Sequence, residues 1–190
     1  MASTNLDSRR FQTALREGDL PSLALIPKSD LHIHSILGTR IERVETWVGS
    51  PLRRPPSRMS SFHEMVEYAH DVLYPYTLSR AGFEFTAKSA IQDAIDDGVI
   101  KLEMSLDVRF MTMYDSVPDG FLAFVDSVKK STASKIDFRP EVGISKDRDP
   151  ANEIPLASLC VASGIFLSID LYGNETAQPP DRYRELYADA

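Results

Sequence analysis

Ser29-Asp30-Leu31-His32-Ile33-His34-Ser35 is the stretch on which the fold turns. Pro27 precedes it and Gly38 follows it, and a short run punctuated at both ends is the pattern of a β-strand. We expect this strand to be buried. Side chains two apart on a strand project from one face, so His32 and His34 come together. Two neutral imidazoles on a rigid face are good ligands for Zn2+ or another divalent transition metal. The same pair also occurs as hydrogen-bonded histidines at a polar strand end, because the motif alone is unspecific.

Outward from that strand, helical and extended patterns alternate. Leu6 to Glu17 is expected to be a helix, capped by Asp7 or Ser8 and stopped by Gly18, and residues 1–26 make a helical lead-in. Ile41 to Val48 follows as a short helix. Ser50-Pro51-Leu52-Arg53-Arg54-Pro55-Pro56-Ser57-Arg58 is too rich in proline and arginine for a core element; it is a solvated connector or a lid. Ser61 and Glu64 have the spacing of a capping box. The helix they open has Met65, Val66, Ala69, Val72 and Leu73 at three-to-four spacing. His63 and His70 on it suit surface or capping roles. A helix over 81–97 then ends at Gly98. Beyond it the pattern predicts a strand over 99–105, a helix over 118–131 and a strand over 136–144 interrupted by Pro140. A helix over 152–162, a strand over 165–171 and a last helix from Pro179 complete the chain. The strand over 165–171 is the most continuous apolar run. Four strands with helical crossovers predict a parallel sheet with right-handed connections.

Composition narrows the function. With 190 residues, of which 43% are hydrophobic and 26% charged, the chain fits one globular domain over 1–190. A net charge of −7 argues against nucleic acid or an anionic membrane as the main partner. Cys160 is the one cysteine, so no internal disulfide forms and a cytoplasmic setting is expected. Cys160 lies in an apolar helical run and is read as a core residue. Met1 to Arg10 is polar, without a signal-peptide core, and no apolar run approaches the ~20 residues of a membrane span.

Three ordered stretches resemble the adenosine and AMP deaminase family of the metal-dependent amidohydrolase superfamily. Pro27-Lys28-Ser29-Asp30-Leu31-His32-Ile33-His34 is similar to the family's first strand. Ala94 to Ser105 is similar to its second helix-to-strand unit. Ile169-Asp170-Leu171-Tyr172-Gly173-Asn174-Glu175 is similar to its Asp-Leu-x-Gly-Asp-Glu turn after strand four. The resemblance implies an α/β fold of the (β/α)8 TIM-barrel type, with chemistry at the C-terminal ends of the strands. It implies that His32 and His34 are metal ligands, that Zn2+ is the cofactor, and that Gly173 presents its backbone to a purine ring. Gly173 also suits a plain turn glycine. Phe62, Met65 and Val66 are read as helix core, with a gate over the substrate as the alternative.

The implied function is hydrolytic deamination of a purine nucleoside, nucleotide or base, a small-molecule substrate. A barrel of eight units needs ~250 residues, and this chain supplies about the first four. No stretch here matches the family's third histidine ligand, its glutamate acid/base, its further histidine or its metal-binding aspartate, so the isolated chain is expected to be incomplete. Ser35-Ile36-Leu37 stands between His34 and Gly38 where the family has a shorter link with an amide or carboxylate, and Ser105 stands where arginine is common. Two other functions fit parts of the pattern. Asp30-Leu31-His32-Ile33-His34-Ser35 also resembles the opening motif of PHP-type phosphoesterases, and an inactive half-barrel could serve in binding or assembly. A half-barrel has open sheet edges, which predict a homodimer.

Overall fold

The computed structural model describes residues 2–190, with side chains for 6–188 and 190. Four strands, β1 (Lys28–His34), β2 (Val99–Asp107), β3 (Asp137–Ser145) and β4 (Ser168–Tyr172), form one parallel sheet in the order β1-β2-β3-β4. Helices precede and connect them: α1 (Ala2–Glu17), α2 (Leu20–Ala24), α3 (Ile41–Val48), α4 (Phe62–Tyr68), α5 (Tyr74–Thr77), α6 (Arg80–Asp96), α7 (Asp119–Thr132), α8 (Pro150–Ala162) and α9 (Arg184–Asp189). The sheet curls into a half-barrel, and His32 on β1 reaches Glu141 on β3 across the intervening β2.

Alternation along β2 and β3 sorts their side chains. Leu102, Met104 and Leu106, with Phe138, Val142 and Ile144, pack outward against α6, α7 and α8. Phe83 is the hub of that layer, stacked on Phe110 at 4.4 Å and on Phe121 at 5.8 Å between ring centroids. The alternate residues, among them Ser105, Asp107, Glu141 and Ser145, face the concave side. Most of the hydrophobic core thus lies between sheet and helices. Cys160 is fully buried there, and burial pushes its thiol up to about 12.

Several expectations shift. The first helix begins at Ala2, so Asp7 and Ser8 are interior to it, and α2, opened by Asp19 accepting from the Ser22 amide, was not foreseen. β1 is an edge strand with no buried residue, because among the described residues no strand pairs with its outer edge. The clearest apolar run, 165–171, pairs only from Ser168; Leu167 is 56% exposed, since a strand on an open edge buries little. Pro140 is accommodated because its carbonyl accepts from Leu167 N just before the β3–β4 ladder begins at Glu141↔Ser168, so no ladder bond is lost. The capping box is displaced by one residue. Ser61 Oγ accepts from Glu64 N as expected, but Glu64 reaches back to Ser60 N and Oγ. α4 runs into a π-helical turn over Ala69–Leu73. Among the described residues, no helix is long and apolar enough to cross a membrane.

Candidate metal centre

The C-terminal ends of the four strands converge on one polar cluster. Sheet register sets His34 beside Ser105, Ser105 beside Glu141, and Glu141 beside Ser168; one step further, Asp107, Gly143 and Asp170 line up. The β1–β2 ladder is interrupted between Asp30 and Ile33, yet His32 and His34 still share a face, their rings edge-to-face at 5.0 Å. Sequence reasoning paired these two, and the structure brings them together.

Asp170 is the residue that reasoning passed over. Its Oδ2 lies 3.7 Å from His34 Nε2 and 4.0 Å from His32 Nε2. It is buried and accepts no hydrogen bond. One donor atom each from His32, His34 and Asp170 fall within 4.8 Å of one another. A tetrahedral cation with 2.0–2.1 Å bonds needs ligand separations of roughly 3.3 Å, so the three atoms need close only slightly to ligate it. Two imidazoles and a carboxylate are also a donor set suited to Zn2+. A buried carboxylate oxygen with no partner, aimed between two ring nitrogens, fits a cation.

The surroundings hold these groups in place. Burial, opposed by the Asp170 carboxylate, lowers the pKa of His34 and favours the neutral ring that can ligate. Its other side packs edge-on to Tyr172, with centroids 4.8 Å apart. The Tyr172 hydroxyl donates to Asp107 Oδ2, and burial, then Asp107, push its pKa up. Arg109 Nε lies 3.0 Å from the same Asp107 oxygen. On the other flank His32 Nδ1 is 2.9 Å from Glu141 Oε2, and Ser168 Oγ donates to Glu141 Oε1 at 3.0 Å.

A cavity of about 460 Å3 opens beside His34, within the ~300–1,000 Å3 usual for small-molecule sites. Ile36, Phe62, Met65, Val66 and Phe110 form an apolar wall; Ser105, Asp147, Arg148 and Gly173 supply a polar rim. Phe62, Met65 and Val66 are therefore wall residues, not helix core: Phe62 is 54% exposed, because α4 lies over the strand ends with nothing packed beyond it. Gly173 has φ +101°, and a Cβ there would come within 2.6 Å of Asp147 Oδ2. That carboxylate in turn accepts from Asn174 N at 3.2 Å. The turn demands glycine on its own account, and the same glycine lines the cavity. His63 and His70 are on the surface, beside Glu67 and Asp71.

No protein-family model matches the chain. Over 152 residues it is 32% identical to a Treponema pallidum protein named "Putative adenosine/adenine deaminase", a match covering 80% of this chain and 51% of that relative. Over most of its length the chain is similar to adenosine/adenine deaminase-like proteins. It spans about half the length of the curated relative it matches. Solved structures agree on the fold. A zinc-bound amidohydrolase from Burkholderia ambifaria superposes with a TM-score of 0.60 at 18% identity, covering 88% of this chain and 50% of that one. The N6-methyl-AMP deaminase from Arabidopsis thaliana gives 0.63 at 16% identity, covering 87% and 55%. The half-barrel is about half of a TIM barrel, and the cluster sits at the strand ends where such barrels place their chemistry.

Proposed function

We propose that this chain forms the cation- and base-binding half of a metal-dependent hydrolytic deaminase acting on a purine nucleoside, nucleotide or base. The observation that carries the reading is the orphan Asp170 oxygen between the His32 and His34 ring nitrogens, beside an apolar-walled cavity. The reaction adds water at the amino-bearing ring carbon and breaks that carbon–nitrogen bond, releasing ammonia.

His32, His34 and Asp170 would hold the cation, Zn2+ in the first instance. Bound there, the cation would supply Lewis acidity, which can lower the pKa of a water to ~7. The chain's own groups bind and orient. Burial favours the neutral form of His34, the form that ligates. Phe62, Met65, Val66 and Phe110 offer a planar ring an apolar face and exclude water from it. Ser105 Oγ, buried without a partner and on the cavity lining, is free to hydrogen-bond a ring substituent. At Gly173 the absence of a side chain lets the backbone approach the ring closely. Full turnover belongs to an assembly that adds the remaining barrel units with their acid/base groups.

Elemental analysis paired with calorimetric titration of adenine, adenosine and AMP tests this. The wild type should hold divalent metal, lose it in His32→Ala and His34→Ala, and bind at least one of the three purines. A wild type without metal and without affinity for any of them would end the proposal.

A further inference from the structure

Glu141 has no role in the function proposed above, and it is the most deeply enclosed acid on the concave face. It is 7% exposed on β3, and both of its carboxylate oxygens are engaged: Oε1 accepts from Ser168 Oγ at 3.0 Å, and Oε2 lies 2.9 Å from His32 Nδ1. An ionised carboxylate can only accept, so the proton in the second contact belongs to the imidazole. His32 needs such a hold. Its side chain is 48% exposed, and packing alone leaves the ring free to turn. His34 differs, being packed against Tyr172.

We propose that Glu141 is a positioning residue that fixes the Nδ1–H tautomer of His32 through a relay of Ser168, Glu141 and His32 drawn from three strands. With the proton on Nδ1, Nε2 carries the lone pair, and Nε2 is the atom 4.0 Å from Asp170 Oδ2. A free imidazole favours the opposite tautomer, which would turn an N–H toward the cluster. Ligating histidines commonly donate their second nitrogen to a carboxylate in this way. The consequence for ligation rests on the cation site proposed above; the tautomer does not.

The test uses the metal-free protein with 15N-labelled histidine, at a pH where the rings are neutral. Long-range 1H–15N spectra report which nitrogen of His32 bears hydrogen. The wild type should show Nδ1–H. Glu141→Ala should revert to Nε2–H. Glu141→Leu keeps most of the volume and offers no acceptor, so an Nε2–H population should appear. Ser168→Ala, a change on an exposed residue, should leave the tautomer in place with a broadened ring signal. Cobalt(II) titration followed by absorbance should show affinity falling ~10–100-fold in Glu141→Ala. An Nε2–H ring in the wild type overturns the proposal, as does a tautomer unchanged in Glu141→Ala or in Glu141→Leu, the variant that decides the matter if Glu141→Ala does not fold. A wild type with Nδ1–H that binds no cobalt defeats the cation site while upholding Glu141's hold on the ring.

Discussion

Replacing Asp170 by asparagine separates what the carboxylate costs the metal-free protein from what it contributes to ligation. Its Oδ2 is buried, accepts no hydrogen bond, and sits 3.7 Å and 4.0 Å from two ring nitrogens that do not reach it. A buried polar group left unsatisfied costs about 1–3 kcal/mol. Asp170→Asn discharges that oxygen and offers an amide N–H to the His34 lone pair, so the metal-free variant should gain on the order of 1 kcal/mol. For a chain of this size that raises Tm by ~2–4 °C. With cation the sign reverses. At a free concentration of 100 Kd, binding stabilises the wild type by about 2.7 kcal/mol. If losing this ligand raises Kd by ~100-fold, the upper end for residues that merely orient a ligand, the same concentration yields about 0.4 kcal/mol. Thermal melts with chelator and with zinc, on both proteins, read all four numbers. The reasoning fails if Asp170→Asn melts lower than wild type without metal, or if zinc raises both by the same amount.

Three further outcomes follow from the structure. Cys160, fully buried with its thiol pushed up to about 12, should ignore a thiol reagent in the native protein and react at once in urea; fast native labelling would remove it from the core. Burial raises the pKa of Glu153 above its ordinary value, so the native state binds that proton more tightly than the unfolded chain does. Its share of stability is present below the unfolded pKa and is lost as pH climbs through the raised native one. Glu153→Gln should therefore flatten the decline in urea midpoint across that window; a parallel offset at every pH would contradict the assignment. Among the described residues the outer edges of β1 and β4 pair with nothing, and an edge such as β4, with neither lysine nor proline, invites strand addition. Light scattering should find a dimer or larger species; a monodisperse monomer at high concentration would count against edge pairing.

Four parallel strands were legible because each helical pattern ends in a glycine or a turn before an apolar run. Gly98, with φ +76°, is such a stop. The ends of β4 were not, because Ile165-Phe166-Leu167 is as apolar as the strand it leads into, and only the missing neighbour decides where pairing begins. His32 and His34 were legible from spacing of two. Asp170 and Glu141 were not, since the partner of each lies on another strand. A signal did exist. Ile169-Asp170-Leu171 and Pro140-Glu141-Val142 put acids where a buried strand should be apolar, and an ionisable group in such a place needs a partner. Spacing identifies partners on one strand; register between strands identifies the rest.

The two faces of the sheet divide stability from function. Strands of a parallel sheet covered on both sides usually appear as continuous apolar runs, but β2 and β3 do not. Their outward residues, Leu102, Met104, Leu106, Phe138, Val142 and Ile144, join the aromatic layer around Phe83 and supply the core. Apart from Val99 and Gly143, the residues alternating with these are polar, from the Lys101–Glu103 and Arg139–Asp137 ion pairs at the N-terminal ends to Ser105, Asp107, Glu141 and Ser145 near the site. Ion pairs that are a quarter to a half exposed contribute little to stability, so the concave face adds few of the interactions that hold the fold. Truncating Phe83, fully buried and in contact with three other phenylalanines, should cost about 3–5 kcal/mol. Substitutions at Glu141 or Asp170 touch none of that layer. The cluster can be dissected residue by residue in a folded protein because the half-barrel draws its stability from the opposite side of the same strands.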